Sequence, residues 1–181
     1  MPTPVDELYD IFLRQEGLLA QSDIGDLQAT QRIFIKFMII SSSSYFEDEI
    51  KQSIRNFVVE ASNQNIAVVK FFDENLLDRG YHKIIDWKEN SKLKAFCKFF
   101  GVKLDVYYAL FPQLELDKHF ADFLQLGIMR NDLMHKNLVQ QNIELTLSEA
   151  YHKYQSAKVF VDTIPEMLAS TKVAVDSNDH S

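Results

Sequence analysis

The chain has 181 residues, of which 46% are hydrophobic and 12% aromatic, so its composition excludes a disordered polypeptide and allows one folded core. Five glycines and four prolines are few for an all-β protein, and a formal net charge of -7 argues against broad, nonspecific coating of nucleic acid. Cys97 is the sole cysteine, which excludes an internal disulfide and a cysteine-based zinc site.

Apolar residues spaced three or four apart predict helices along most of the chain. The predicted helices cover residues 5–21, 26–62, 66–77, 91–100, 117–135 and 146–168. The second is the longest because neither Gly nor Pro interrupts it, and its core-facing stripe includes Ile35, Phe46, Phe57 and Ala61. Small serines in the same stripe, at 42 and 43, would let a neighbouring helix cross closely.

Polar residues and breakers set the predicted helix ends. The predicted N-caps are Asn90 or Ser91, Asp117, and Thr146, the last in a capping box with Glu149. Gly101 is expected to end a helix in the left-handed conformation, and residues 23–25 to form a break. Residues 81–87 are expected to be irregular, and 102–111 fit a strand as well as a helix.

These elements predict an all-α bundle with additional short helices around one core. Residues 1–170 would form a single domain and 171–181 a disordered tail. The N-terminal segment has no basic and apolar leader, and the most apolar run, 33–40, is shorter than the roughly 18 residues of a membrane span. We therefore expect a soluble, cytoplasmic protein with no membrane contact.

The segment Arg130-Asn-Asp-Leu-Met-His135 places polar groups on an apolar helix face. With Phe120 at 0°, Asn131 falls at about 20° and His135 at about 60°, while Arg130, at about 280°, can reach round with its long side chain. Asn131 and His135 are one turn apart and can touch. They are either satisfied core or interface groups or parts of a site, and spacing alone leaves both readings open.

The same three residue types supply what RNA cleavage needs. An imidazole can take the proton of a ribose 2′-hydroxyl near neutral pH. A guanidinium can stabilise the charge on a phosphorane-like transition state, and an amide can orient either group. This set requires no metal and no other cofactor.

Arg-Asn-x-x-x-His near the end of a helix resembles the signature of the HEPN superfamily. Tyr45-Phe-Glu-Asp-Glu-Ile-Lys51 is similar to a segment in the second helix of HEPN proteins of the RiboL-PSP type. The resemblance covers roughly residues 26–168. It implies a helical bundle that forms a homodimer, with both Arg-Asn-His sets in one cleft, and a metal-independent endoribonuclease that leaves 2′,3′-cyclic phosphate and 5′-hydroxyl ends.

Carried over to this sequence, the resemblance implies that Arg130 stabilises the scissile phosphate, His135 acts as acid or base, and Asn131 positions them. Glu47 would be a supporting carboxylate, although an exposed helix charge fits it as well. Lys136 would attract the phosphate of the substrate, although a solvated surface lysine fits it as well.

The resemblance also implies a biological setting. Many such proteins are toxins of toxin–antitoxin pairs or effectors of antiviral defence, so a separate antitoxin or regulator protein is a possible partner of this chain beside the RNA substrate. The alternative is a non-catalytic helical dimer that acts as a protein-binding or regulatory module. Glu149 and His152 have the spacing of one half of a di-iron motif, but the other half is missing from the sequence.

Overall fold

The computed structural model describes residues 1–19, 24–136 and 141–172, and every regular element within them is helical. The helices are α1 (Pro4–Leu19), α2 (Ile24–Ala61), α3 (Ile66–Phe72), α4 (Tyr81–Ile84), α5 (Leu93–Phe99), α6 (Leu104–Leu110), α7 (Leu116–His135), α8 (Leu147–Asp162) and α9 (Ile164–Ala169). A π-helical turn, Asp73–Leu77, continues α3, and a 3-10 turn, Ser170–Lys172, follows α9. The all-α prediction is confirmed. None of the helices in these ranges has the length and apolar character that crossing a membrane requires.

The core lies where α2, α7 and α8 pack on one another, with α1 along α2. Aromatic rings fill it at centroid distances of 5.2 to 6.2 Å, contributed by Phe46, Phe96, Phe120, Phe123 and Phe160. Such ring pairs add about 0.5–1.5 kcal/mol each beyond the burial of their area. The aromatic core therefore fixes α7 firmly against α2, and these two helices carry the predicted site residues.

Helix α2 runs unbroken for 38 residues, about 57 Å at the rise of an α-helix. Ile35 and Phe46 of its predicted stripe are buried and Phe57 is half-buried, but Ala61 is exposed and Val58 is buried in its place. Helix α2 packs against α3 and the π turn as well as against α7 and α8, so its buried side does not follow one straight stripe.

Two of the three predicted N-caps are wrong. The hydroxyl of Ser91 donates to the carbonyl of Asp86, and α5 begins at Leu93 with Lys92 as its N-cap. Asp117 lies inside the first turn of α7, where its carboxylate accepts a hydrogen bond from the Tyr108 hydroxyl at 2.5 Å. In both cases a neighbouring polar group binds the side chain that the sequence assigns to the cap.

The capping box of α8 is confirmed. The Thr146 hydroxyl accepts from the Glu149 amide at 3.1 Å, and the Glu149 carboxylate accepts from the Thr146 amide at 2.7 Å. The predicted helix from 146 to 168 is nevertheless divided at Thr163, because Pro165 has no N–H to continue the backbone ladder. Residues 173–181 of the predicted tail lie outside the described residues, while 170–172 form the 3-10 turn.

The middle of the chain is more helical than predicted. Tyr81–Ile84 form a helical turn because the side chains of Tyr81 and Ile84 are buried on the same side. The ambiguous segment 102–111 contains α6, and Gly101 before it has the left-handed φ of 74° that the sequence predicts. Of the predicted break at 23–25, Gly25 lies in the first turn of α2 and Asp23 lies outside the described residues.

Candidate active site

A cleft of about 430 Å³ opens between the middle of α2, the segment around α4 and the second half of α7. Four predicted site residues line it together: Glu47 from α2, and Arg130, Asn131 and His135 from α7. The lining is completed by residues that the sequence did not indicate as functional, namely Ser43, Asp78, Tyr81, His82, Trp87 and Gly127. The cleft is open to solvent and falls within the roughly 300–1,000 Å³ that small-ligand pockets occupy.

The three motif side chains lie along the last turns of α7. Arg130 and Asn131 are half-buried and His135 is exposed. A nitrogen of the Arg130 guanidinium, Nη1, donates to the Asn131 amide oxygen at 3.2 Å. This bond bends the long Arg130 side chain toward the face that carries Asn131, as the wheel projection requires. An exposed imidazole and a half-buried amide argue against a sealed core pair.

The wheel with Phe120 at 0° puts Met134 at about 320°, within the apolar stripe, and predicts that Met134 is buried; this prediction is wrong. Met134 is 56% exposed, while Leu133, which the projection places on the far side, is 3% exposed. Helix α7 packs against both α2 and α8, so it buries two faces rather than one. The polar edge that remains between them carries the motif residues.

Glu47 is both a paired helix charge and a residue of the cleft. Its carboxylate lies 2.6 Å from the Lys51 ammonium one turn further along α2, in a pair that is about one-third exposed. Such i,i+4 pairs contribute only about 0.3–0.5 kcal/mol. The Lys51 ammonium also lies 5.3 Å from the ring centroid of Tyr81. Glu47 therefore places a cation against the α4 side of the cleft.

Tyr81 stays protonated in the working pH range of proteins. Burial, and then the nearby negative charge of Glu47, hold the pKa of its phenol far above the ordinary value, and the Arg130 charge offsets this only in part. Tyr81 can therefore donate a hydrogen bond in the cleft but does not act as an anionic base.

Small residues let α2, α7 and the α4 segment approach closely. The Ser43 hydroxyl donates to the Leu126 carbonyl at 3.2 Å, and Ser42 is fully buried, as their small size predicts. On the other side, the indole of Trp87 lies directly on Gly127: a Cβ added there would be 1.9 Å from Cζ3 of the ring. Trp87 also packs on the ring of Phe123 at 5.7 Å. Gly127 thus makes room for one wall of the cleft.

We expect Gly127→Ala to displace the Trp87 indole and to lower the free energy of unfolding by about 1–3 kcal/mol, as overpacking does. Trp87 is the sole tryptophan of the chain, so its emission reports the displacement directly. Chemical unfolding followed by fluorescence measures both effects. The control is Gly17→Ala in α1, where an added Cβ meets nothing within 4 Å and the helix should gain up to about 1 kcal/mol. Unchanged emission and stability in Gly127→Ala would contradict the packing described here.

Lys136 lies outside the lining of the cleft. Its ammonium lies 3.0 Å from the Asp132 carboxylate, in a pair that is more than half exposed. This placement favours the surface-lysine reading, and a contact with substrate phosphate stays a prediction.

In the described parts of the chain, no group of three or more His, Cys, Asp and Glu side chains could hold a metal ion. The cleft is therefore the candidate active site, and no metal centre in these parts of the chain competes with it. Glu149, the carboxylate of the half di-iron motif, is used in the capping box of α8. Cys97 is fully buried, and burial raises the pKa of its thiol to about 11, so it is not a reactive thiolate.

Comparison with known families agrees with the motif. No curated protein and no solved structure is significantly similar to the chain. The family model described as RiboL-PSP-HEPN matches residues 10–170, a range that begins within α1, ends just after α9 and contains both Glu47 and the 130–135 segment. The chain therefore belongs to the RiboL-PSP-HEPN family of the HEPN superfamily.

Proposed function

We propose that this protein is a metal-independent endoribonuclease of HEPN type and that the cleft between α2, α4 and α7 receives the scissile phosphodiester. One observation carries the proposal: Arg130, Asn131 and His135 line the same solvent-open cleft, with Glu47 from α2 beside them. Membership of the RiboL-PSP-HEPN family supports it, because HEPN domains are generally associated with ribonuclease activity.

The reaction we propose is an internal transesterification. His135 takes the proton of the ribose 2′-hydroxyl, and the 2′-oxygen forms a bond to phosphorus. Arg130 places its guanidinium on the phosphate oxygens and stabilises the charge that develops there. Asn131, already bonded to Arg130, positions the guanidinium. The bond from phosphorus to the 5′-oxygen breaks, and that oxygen takes up one proton from water or from an acidic side chain of the cleft. The products are a 2′,3′-cyclic phosphate and a 5′-hydroxyl.

Glu47 has a supporting role in this scheme. Its pairing with Lys51 offsets its own charge, and Asp78 is a second carboxylate in the lining, so the positive charge that a phosphate meets is the guanidinium of Arg130. A phosphate can then enter a local positive site although the chain as a whole is acidic.

The rate of RNA cleavage is expected to survive excess EDTA, because no step of the proposed reaction uses a divalent ion. The measurement is the initial rate of cleavage of a labelled RNA with EDTA and with added magnesium. A strict requirement for a divalent ion would contradict the mechanism.

We propose that the protein is a homodimer, because one chain supplies a single Arg-Asn-His set and the family resemblance implies two sets in one cleft. Light scattering at micromolar concentration should then give about 42 kDa, twice the 21.0 kDa of the chain. A mass of one chain would contradict the shared cleft. A role as a toxin or defence effector in the cytoplasm, with a separate antitoxin or regulator, fits this activity.

The alternative is a non-catalytic helical dimer that binds a protein partner. The net charge of -7 favours it, because that charge opposes RNA, and so do the exposed side chains of Ile33 and Phe37, one turn apart on α2. A protein that cleaves no RNA and whose His135→Ala variant keeps partner binding would support this alternative.

A further inference from the structure

A second histidine, His82, lines the same cleft as His135. Both imidazoles belong to exposed residues, and neither makes a hydrogen bond or an ion pair with any residue in the ranges 1–19, 24–136 and 141–172. By contrast, His119 on α7 is bound to the Ser156 hydroxyl at 2.8 Å. Within the described part of the chain, the ring nitrogens of His82 and His135 are therefore available to a bound ligand.

The backbone that carries His82 is firmly held. The side chains of Tyr81 and Ile84, in the same helical turn, are 9% and 3% exposed. Gly80, just before them, fits tightly against the end of the π turn: a Cβ there would lie 2.8 Å from the Asn75 carbonyl oxygen and 3.0 Å from that of Leu76. His82 therefore lies on a well-packed helical turn of the cleft wall.

The charged and titratable groups that share the cleft come from all three of its walls. They are Glu47 from α2, Asp78, Tyr81 and His82 from the α4 segment, and Arg130 and His135 from α7. His82 and His135 thus lie on different walls, with the guanidinium of Arg130 on one of them. When His135 acts as the base, the departing 5′-oxygen still needs a proton. His82 is a second imidazole of the same chain in this cleft and can supply that proton without a residue from a partner chain.

We propose that His82 is a second acid–base residue of this cleft, a proposal that rests on the ribonuclease function proposed above. Neutral His135 takes the 2′-hydroxyl proton while the 2′-oxygen bonds to phosphorus. The bond from phosphorus to the 5′-oxygen breaks, and that oxygen receives the proton of cationic His82 to become a hydroxyl. His135 ends protonated and His82 neutral, and exchange with water restores both.

A substrate with a better leaving group can show whether His82 protonates the departing 5′-oxygen or has only a structural role. The test compares an ordinary RNA with the same RNA carrying sulfur in place of the 5′-bridging oxygen, at a bond that the wild-type protein cleaves. A departing thiolate needs little protonation. His82→Ala should therefore cleave the ordinary RNA about 10²-fold or more slowly than wild type and recover most of that loss on the sulfur substrate. His135→Ala should be slow on both.

The pH profile gives a second readout. Wild-type cleavage should be bell-shaped in pH, because one imidazole must be neutral and the other protonated, and His82→Ala should lose the fall at alkaline pH. The matched control is His152→Ala on α8, an exposed histidine outside the cleft, which should behave as wild type on both substrates.

The outcomes distinguish the two proposals. A His82→Ala variant that cleaves ordinary RNA at the wild-type rate, or that is equally slow on both substrates, would overturn the role of His82 and leave the ribonuclease function standing. A wild-type protein that cleaves neither substrate would overturn both.

Discussion

Replacing His135 with alanine is expected to lower the rate of RNA cleavage by about 10²–10⁴-fold, the range that a positioned acid or base contributes. The reason is that the 2′-hydroxyl is a poor nucleophile until its proton is removed. The fold should hardly respond, because His135 is exposed and has no hydrogen-bond partner among the described residues. The single-turnover cleavage rate and the far-ultraviolet circular dichroism of the same sample measure the two effects.

The His135→Gln variant tests whether His135 acts through proton transfer or only through the size and polarity of its side chain. Glutamine keeps a polar side chain but exchanges no proton near neutral pH, so His135→Gln should be as slow as His135→Ala. Cleavage at the wild-type rate in either variant would remove His135 from the mechanism. Unfolding of both variants would instead show that the exposed imidazole has a structural role, which its surroundings do not suggest.

Replacing Arg130 with alanine is expected to lower kcat by about 10²–10³-fold, the loss seen when one donor to a developing oxyanion is removed. Arg130→Lys should remain well below wild type. An ammonium keeps the charge but lacks the planar fork that binds two phosphate oxygens. The shorter reach also disturbs the bond to the Asn131 amide oxygen.

Arg55→Lys is the matched control for this substitution. Arg55 also lies on a helix and pairs with Asp73 at 3.3 Å, but it is outside the cleft, so its exchange for lysine should leave kcat unchanged. Wild-type kcat in Arg130→Lys would mean that only a positive charge is needed at this position, and the bidentate contact would be wrong.

Those features of the fold that depend on one helix at a time could be predicted from the sequence. The long α2 follows from 36 residues without a breaker between Gly25 and Ser62, and the start of α8 follows from Thr146 and Glu149. The α7 wall of the cleft could be predicted in the same way, because Arg130, Asn131 and His135 lie within two turns of one helix. Helical geometry alone puts Asn131 and His135 on one face before any packing is known, and Arg130 joins them through its long side chain and its bond to Asn131.

The rest of the cleft depends on contacts between distant segments. Trp87 and His82 lie in a stretch without hydrophobic periodicity, and they reach the cleft only because Gly80 and Gly127 allow backbone and ring to approach within van der Waals distance. Gly127 in the middle of α7 is the one signal that the sequence offers. Glycine in a helix interior lowers stability by about 1 kcal/mol relative to alanine, so its presence there indicates that another group packs closely on the helix. The sequence does not say what packs there.

The wrong predictions share a physical cause. A wheel projection assumes one buried face, and α7 has two, so Met134 and Leu133 exchange places. The predicted caps at Ser91 and Asp117 assume that a polar side chain binds its own helix, whereas each binds a neighbouring segment. Contacts with residues outside the helix decide both cases.

The chemical nature of the cleaved ends tests the proposed transesterification most directly. Mass spectrometry of a defined RNA cut by the wild-type protein in EDTA should show a 2′,3′-cyclic phosphate on the upstream fragment and a 5′-hydroxyl on the downstream one. A 3′-hydroxyl with a 5′-phosphate would mean that water, not the ribose, attacks the phosphorus, and His135 would not be the base that activates the 2′-hydroxyl.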